Sequence, residues 1–313
     1  MNSAKTLNYE TRPVKFTERK MILASISKLV SQFGGDYQYI GFGGLTFTDF
    51  KLFHNELHLR EMYSIEGGDV SIEKLNFNKP FGFINVIPHL STVALTNGSI
   101  DLTKKSLVWM DYDDCLENFF FDDITALFSK LPVGSIYIVT CNRQLDNKKS
   151  GVPYSVDDFI ENFGSNTPFD IQSKELNRKN SYKGIRRALK LHLENILKQR
   201  SNSEGIVYDF NQLYNILYNE NRGAEMYTYG GVITTNTSTI QEINLSEFDF
   251  IRRDDDTYNL VLPNFTRKEI DLVNVHIHGE EKELVDRKII DQSELDIYKS
   301  IYKYMPYFLD VRV

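Results

Sequence analysis

This sequence of 313 residues has only two cysteines, no long apolar stretch and no net positive charge. Its two cysteines, Cys115 and Cys141, stand far apart and show no metal-ligand spacing, so neither a disulfide framework nor a zinc module is indicated. No run of about 18 apolar residues occurs, which argues against a membrane-spanning helix. The first residues also lack the apolar core of a signal peptide. We therefore expect a cytoplasmic protein without a membrane partner.

Basic residues are outnumbered, since 36 Lys and Arg stand against 43 Asp and Glu and the formal net charge is −7. That balance argues against a general binder of polyanions. The charge is uneven, however, because acidic residues gather in 111–123 and basic residues in 12–20 and 178–200. A nucleic-acid partner therefore stays open as an alternative, with salt-dependent binding as its signature. Its candidate residues are Lys179, Lys183, Arg186, Arg187 and Lys190.

Short apolar segments alternate with helix-like segments through the first half of the chain. The predicted strands are 36–41, 61–66, 81–86, 106–111 and 135–140. Predicted helices cover 17–30, with Thr17 as the N-cap, the segment from Phe47 to Leu57, and 116–131. Such alternation is typical of βαβ units, whose right-handed crossovers place helices on both faces of a parallel sheet. The predicted fold class is α/β, a doubly wound, mostly parallel Rossmann-like sheet with added N- and C-terminal helical segments.

The second half of the chain becomes polar after Thr140 and is harder to assign. It predicts a helix over 182–199, a strand over 226–234, and a hairpin built from 247–253 and 257–263. We expect one domain over residues 1–313. Its predicted parts are an N-terminal helical segment 1–33, a Rossmann-like core 34–265 with a polar substrate lid 141–184, and a C-terminal helical extension 266–313.

A glycine turn follows the first predicted strand, in the sequence Gly41-Phe42-Gly43-Gly44. Glycines there let a backbone approach a ligand closely and aim the next helix at it. Glu66 ends the second predicted strand, where a carboxylate can accept hydrogen bonds from a ribose diol. The two features predict a nucleoside-binding crevice with Gly41, Phe42, Gly43 and Glu66 as cofactor-binding residues.

The kind of nucleotide is narrowed by what the glycine turn lacks. A dinucleotide fingerprint would need a third glycine at the position of Thr46, which disfavours NAD. S-adenosylmethionine has no pyrophosphate and needs only the turn and the acidic residue. Asp49 lies one turn into the following helix, where it either stabilises the helix N-terminus or binds the amino group of the cofactor.

Three carboxylates and a tyrosine end the fourth predicted strand, in Asp111-Tyr112-Asp113-Asp114. This strand end borders the same crevice as the first strand. Asp111 is predicted to orient an acceptor and Tyr112 to pack against the methyl donor or a base, which makes both candidate catalytic residues. The aspartates could instead hold a divalent metal or form a solvated loop, and we predict no metal site.

Charged residues are dense just before the first helix, where Arg12, Lys15 and Arg19 could face a carboxylate or phosphate in the crevice. The alternative is that they form surface ion pairs.

Several of these segments together resemble the bacterial putative O-methyltransferase family. The residues that carry the resemblance are Tyr9, Arg12-Pro13, Lys15, Glu18-Arg19, Met21, Tyr39-Ile-Gly-Phe-Gly43, Asp49-Phe50, Ser64-Ile-Glu66, Trp109, Asp111-Tyr-Asp113 and Pro263-Asn-Phe-Thr-Arg-Lys-Glu269. The resemblance implies a class I, S-adenosylmethionine-dependent, Rossmann-like fold.

One position departs from the usual class I pattern, because Tyr39 stands where those enzymes carry an acidic residue two before the first glycine. The leading hypothesis is a methyltransferase that uses S-adenosylmethionine on an undetermined acceptor. The alternative is a non-catalytic cofactor- or nucleotide-binding protein, acting as a partner or sensor in a larger assembly, which Tyr39 and the lack of an evident base favour.

Overall fold

The computed structural model describes residues 12–147, 150–219, 224–235, 238–277, 279 and 281–306. Its strands are β1 (Gln38–Gly41), β2 (Glu61–Ile65), β3 (Ile84–Ile87), β4 (Ser106–Cys115), β5 (Ile136–Asn142), β6 (Asp209–Asn219), β7 (Glu225–Thr234) and β8 (Tyr258–Leu260). Its α-helices are α1 (Pro13–Phe33), α2 (Thr48–Leu57), α3 (Ile72–Asn78), α4 (Ser91–Thr96), α5 (Asn118–Phe128), α6 (Val156–Phe163), α7 (Ser181–Glu204), α8 (Ser238–Glu242), α9 (Arg267–His276), α10 (Glu281–Asp286) and α11 (Gln292–Ile301). Tyr9 and the ends of both predicted terminal segments lie outside the described residues.

The described strands form one sheet in the order β3-β2-β1-β4-β5-β7-β6-β8. Strands β1 to β5 are parallel, β7 is antiparallel to β5 and β6, and β8 is parallel to β6. The predicted doubly wound, mostly parallel α/β sheet is therefore confirmed. The strand order reverses between β1 and β4, and sheets of this kind bind ligands at the carboxyl ends of the strands beside that reversal.

Alternate residues of β4 pack on the two faces of the sheet. Leu107 and Trp109 join the core under α1 and α2, while Val108 and Met110 join the core under α5 and α7. Because both faces are covered, the strand is a nearly continuous apolar run, which is why it could be predicted from sequence.

Helix α1 begins at Pro13 rather than at the predicted Thr17. Proline suits a first helical position, because its fixed φ is helical and its missing N–H has no partner there. The predicted N-cap role of Thr17 is wrong: its hydroxyl lies inside the helix and donates to the carbonyl of Pro13 at 2.8 Å. The earlier start adds a turn to the helix and places Lys15 on it.

In the second half of the chain, one strand was not predicted and one predicted hairpin is absent from the described residues. Strand β6 was not predicted, because its residues from Gln212 to Ile216 are all buried and show no alternation. The predicted hairpin of 247–253 and 257–263 is wrong, since residues 247–253 form turns and bends and β8 pairs in parallel with β6.

Helix α6, in the segment predicted as a lid, packs beside α5. Phe159 and Phe163 are buried, and the rings of Phe163 and Phe121 lie 5.9 Å apart. Among the described residues, no helix has the length and apolar character needed to cross a membrane.

Candidate active site

A cavity opens at the carboxyl ends of β1, β2 and β4, beside the reversal of strand order. It is lined by residues from α1, the turn after β1, the start of α2, the loops after β2 and β3, and the end of β4 with the start of α5. Six predicted site residues line it, namely Phe42, Gly43, Asp49, Glu66, Asp111 and Tyr112. Arg19, Leu90 and Ser91 also line it, and of these only Arg19 had been considered from the sequence.

The carboxylate of Glu66 is hydrogen-bonded to the glycine turn. Its Oε1 accepts hydrogen bonds from the backbone N–H of Gly43 at 3.0 Å, from that of Gly44 at 2.9 Å and from the hydroxyl of Ser64 at 2.6 Å. Burial raises the pKa of Glu66, although these donors counteract the shift. Oε2 accepts no hydrogen bond from the described residues, so one carboxylate oxygen is fixed and the other is available to a ligand diol.

Glycine is required in this turn by close packing. A Cβ on Gly43 would lie 2.5 Å from Oγ of Ser64 and 2.6 Å from the ring of Phe47. A Cβ on Gly41 would lie 2.4 Å from the hydroxyl oxygen of Tyr39. Gly41 does not line the cavity. The close approach of the Tyr39 side chain explains why this position needs a glycine. Its cofactor-binding role stays a prediction.

Cations from α1 reach the end of β4. Nζ of Lys15 lies 2.6 Å from Oδ2 of Asp111, and Nη2 of Arg19 donates to the same oxygen at 2.5 Å. Arg19 also forms a two-point ion pair with Asp49, in which Nη2 donates to Oδ2 at 3.1 Å. Its guanidinium carbon lies 5.0 Å from the ring centre of Trp109. Two of the three cations considered from the sequence therefore belong to the site and are not surface pairs.

Among the described residues, one carboxylate oxygen of Asp111 has no donor. Oδ1 is buried and accepts no hydrogen bond within the described part of the chain, while Oδ2 is bound by Lys15 and Arg19. Burial acts to raise the pKa of Asp111, yet the two neighbouring cations hold it below its usual value. An ionised carboxylate with a free acceptor oxygen suits a ligand N–H or O–H, and it is a weak general base.

The hydroxyl of Tyr112 is not available to a ligand in the cavity, because it donates to Oδ2 of Asp123 on α5 at 2.5 Å. Burial and this carboxylate raise the pKa of Tyr112 well above its usual value. The ring instead lies 5.2 Å from that of Phe42 and 5.4 Å from that of Phe119, between ring centres. All three rings line the cavity, so Tyr112 offers an aromatic surface and not an acid or base.

One comparison of the whole chain with known proteins decides its family. The sequence profile of the family described as "Putative O-methyltransferase" matches residues 7–313. The chain belongs to the putative O-methyltransferase family. A search of curated protein sequences finds no match.

Solved structures similar to this family member include methyltransferases. The plantazolicin methyltransferase BpumL, solved with a pentazolic desmethylPZN analog and SAH, is 12% identical with a TM-score of 0.39, over 75% of this chain and 89% of that one. A putative S-adenosylmethionine dependent methyltransferase from Listeria monocytogenes is 8% identical with a TM-score of 0.39, over 68% of this chain and 97% of that one. The family assignment rests on the sequence match, since these structural similarities are low.

Other sequence-predicted residues of this family member lie away from the cavity or only at its edge. Asp113 and Asp114 line the cavity but are exposed, and no described residue of 141–184 contributes to the lining. The role of that segment as a lid stays a prediction. Among the described residues, no group of three or more His, Cys, Asp or Glu side chains is placed to hold a metal ion.

The basic residues considered for nucleic acid are largely occupied by carboxylates. Arg186 pairs with Asp255 at 2.5 Å, Arg187 with Glu175 at 2.8 Å, and Lys190 with Glu194 at 3.7 Å, taken between charged atoms. Arg187 also pairs with Asp170. These pairs neutralise three of the five candidate cations locally, whereas Lys179 and Lys183 are exposed, and the nucleic-acid partner stays a prediction.

Tyr39, which replaces the usual acidic residue, contributes its ring and not its hydroxyl. The ring centre lies 4.8 Å from those of Phe50 and Phe53, and the buried hydroxyl has no hydrogen bond in the described part of the chain. Burial raises its pKa well above the usual value. The residue is a core aromatic and cannot perform the task of a carboxylate.

Replacing Tyr39 by Phe should leave the free energy of unfolding unchanged or raise it by up to about 1 kcal/mol, because an unpaired buried hydroxyl is removed. Tyr37→Phe is the matched control, since its hydroxyl donates to the carbonyl of Gly134 at 2.7 Å. That variant should lose about 1 kcal/mol. Urea denaturation of both variants measures the difference, and a larger loss for Tyr39→Phe would show that its hydroxyl has a partner.

Proposed function

We propose that this chain binds S-adenosylmethionine in the cavity at β1, β2 and β4 and transfers its methyl group to an oxygen acceptor. The observation that carries the proposal is the carboxylate of Glu66, which is fixed through Oε1 by Gly43, Gly44 and Ser64 while Oε2 accepts from no donor among the described residues. An acidic residue at the end of the second strand, joined to a glycine turn after the first, is suited to a ribose diol. Family membership supports the same chemistry.

The other residues of the cavity fit the remaining parts of that cofactor. The rings of Phe42, Tyr112 and Phe119 offer apolar surface to a flat base. Oδ1 of Asp111 is a buried, charged acceptor for an ammonium or an acceptor hydroxyl. When bound, S-adenosylmethionine supplies a methyl group whose carbon an acceptor oxygen can attack in line with the carbon–sulfur bond. Asp111 and the fixed Glu66 orient the reactants, and no acid or base on Tyr112 is needed.

Glu66→Gln tests the proposal most directly. The amide oxygen can still accept from Gly43, Gly44 and Ser64, but its NH2 group cannot accept from a ribose hydroxyl. We expect the affinity for S-adenosylmethionine, measured by calorimetry, to fall about tenfold to hundredfold, as for loss of hydrogen bonds to a charged group.

Glu61→Gln is the matched control for that experiment. Glu61 begins the same strand and pairs with Lys104 at 2.7 Å, far from the carboxyl end of β2. The affinity of the Glu61→Gln variant for S-adenosylmethionine should equal that of the wild type. Absence of binding of both S-adenosylmethionine and its demethylated product to the wild type would refute the proposed function.

A non-catalytic cofactor-binding role is the second candidate. The observation that favours it is the lack of an effective base: Asp111 is bound by two cations and the Tyr112 hydroxyl is bound by Asp123. Tight binding of the demethylated product without methyl transfer to hydroxyl, amine or thiol acceptors would favour this role over catalysis.

A further inference from the structure

Five ionisable side chains form a buried cluster in the wall of the cavity, and their charges do not balance. Lys15, Glu18 and Arg19 come from α1, Asp49 from α2 and Asp111 from β4, and none is more than 9% exposed. With all five ionised, two positive charges face three negative ones, so the cluster carries 2 − 3 = −1. A buried net charge is costly in a medium of low dielectric, and a buried carboxylate avoids the cost by binding a proton.

Glu18 is the carboxylate in this cluster that is least compensated. Asp49 is held by two nitrogens of Arg19, and Asp111 by both cations. The nearest cation contact of Glu18 is Nη1 of Arg19 at 3.7 Å from Oε2, beyond hydrogen-bonding distance. Oε2 is buried and has no hydrogen bond in the described part of the chain.

A chain of hydroxyl groups ends on the other oxygen of Glu18. The indole Nε1 of Trp109 donates to Oγ1 of Thr140 at 3.0 Å, the hydroxyls of Thr140 and Thr228 are 2.8 Å apart, and Thr228 donates to Oε1 of Glu18 at 2.5 Å. An indole N–H can only donate, so it sets the direction of this row of hydrogen bonds. Each hydroxyl then donates to the next, and the last donor is satisfied when Oε1 of Glu18 accepts. A proton on Glu18 is therefore placed on Oε2, where it leaves the chain undisturbed.

We propose that Glu18 is a positioning residue that carries a proton while the cavity is empty and releases it when a ligand cation binds beside Asp111. The inference rests on the proposed function. S-adenosylmethionine carries a sulfonium, an ammonium and a carboxylate, so it has a net positive charge, whereas its demethylated product keeps only the ammonium and the carboxylate and has no net charge. The protonation of Glu18 thus distinguishes methyl donor from product at a site that neither ligand touches.

The surroundings of Glu18 agree with such a transition. Burial raises its pKa to about 7, with Asp111 acting in the same direction and with Arg19, Thr228 and Lys15 opposing it. From β6, the buried hydroxyl of Tyr218 also faces Glu18. A positive ligand charge lowers the pKa of Glu18. Binding therefore releases the proton at pH values between the pKa of the ligand-bound protein and that of the empty protein. The affinity for a cationic ligand must then rise with pH through that interval.

Methyl transfer would reverse the change at Glu18. When a hydroxyl acceptor is methylated, the carbon–sulfur bond breaks with its electron pair on sulfur, the carbon–oxygen bond forms, and the O–H proton is released to solvent. Because the sulfonium charge disappears in the same step, the pKa of Glu18 rises again and the residue takes back the fraction of a proton that it lost on binding.

Calorimetric titration of the full chain in buffers of different ionisation enthalpy counts the protons released. We expect about half a proton or more to leave at pH 6–7 when S-adenosylmethionine binds, and less when the demethylated product binds. The affinity for S-adenosylmethionine should rise about fivefold to tenfold from pH 6 to pH 8. Glu18→Gln, whose amide oxygen still accepts from Thr228, should bind with no proton release from this site and a flat pH profile. Glu61→Gln should behave as the wild type.

Two results would overturn the inference while the proposed function stands: binding without proton release in the wild type, or equal release in Glu18→Gln. Difference infrared spectroscopy of the empty protein, wild type minus Glu18→Gln, provides an independent readout. A protonated-carboxyl band that disappears between pH 6 and pH 8 supports the protonated empty state, and its absence at pH 6 overturns it. If neither ligand binds, the proposed function fails, and this infrared result still decides the protonation of Glu18.

Discussion

Replacing Arg19 by Met should lower the free energy of unfolding by about 3–5 kcal/mol, the cost of leaving buried carboxylates without their cation. Arg19 is 2% exposed and is bonded to both Asp49 and Asp111. Met keeps much of the side-chain volume over Trp109, so the loss reports mainly the charge. Asp111 keeps Lys15 as a partner, and Asp49 is the carboxylate left without its ion pair.

Urea denaturation at pH 7 measures this loss, and two further variants identify its source. Adding Asp49→Asn to Arg19→Met removes the unpaired charge and should restore part of the stability, a coupling that independent sites would not show. Arg287→Met is the matched control. Arg287, which directly follows α10, forms an exposed ion pair with Glu283 one helical turn earlier. A loss for Arg19→Met as small as that for Arg287→Met would mean that the cluster is not important for stability.

The parts of the site that sequence predicted are those encoded over short distances. The glycine turn and Glu66 belong to one β-α-β unit, and strand-and-turn patterns place both at the carboxyl edge of the sheet. The structure brings them into hydrogen-bonding contact. For the same reason β1, β2, β4 and β5 could be predicted, whereas β6, buried on both faces and without a local pattern, could not.

The charged cluster could not be predicted in full because its burial depends on distant elements. Lys15, Glu18 and Arg19 look like the solvated residues of a surface helix, and charged side chains are usually exposed. Only the packing of α1 against α2 and β4 supplies Asp49 and Asp111 as partners. The density of charge at the beginning of an otherwise apolar helix was the available signal, and surface ion pairing was the alternative explanation for it.

Tyr112 was predicted to pack against the methyl donor or a base, which stays a prediction, and the direction of its hydroxyl is what the sequence does not reveal. The sequence places the residue at the correct strand end, and the structure puts its ring in the cavity. The direction of its hydroxyl depends on Asp123, which α5 presents from the neighbouring face. Position on a strand can thus be predicted more readily than hydrogen-bond partners, and the assignment of an acid or base requires the partners.

Replacing Gly43 by Ala should damage stability and ligand binding together. The added Cβ would lie 2.5 Å from Oγ of Ser64 and 2.6 Å from the ring of Phe47, closer than real atoms approach. Neither neighbour can move freely, because Ser64 is hydrogen-bonded to both Gly43 and Glu66 and Phe47 is fully buried. We expect the free energy of unfolding to fall by about 1–3 kcal/mol, as for other overpacked cores.

The binding effect of Gly43→Ala should be at least as large as that of Glu66→Gln. The turn must shift to admit the methyl group, and the shift breaks the hydrogen bond from the Gly43 N–H that fixes the Glu66 carboxylate. Calorimetry with S-adenosylmethionine and urea denaturation measure the two effects. Gly82→Ala is the control, since a Cβ there has nothing within 4 Å, and it should change neither quantity. If Gly43→Ala lowered stability but left the affinity unchanged, the fixed geometry of Glu66 would not be what holds the cofactor.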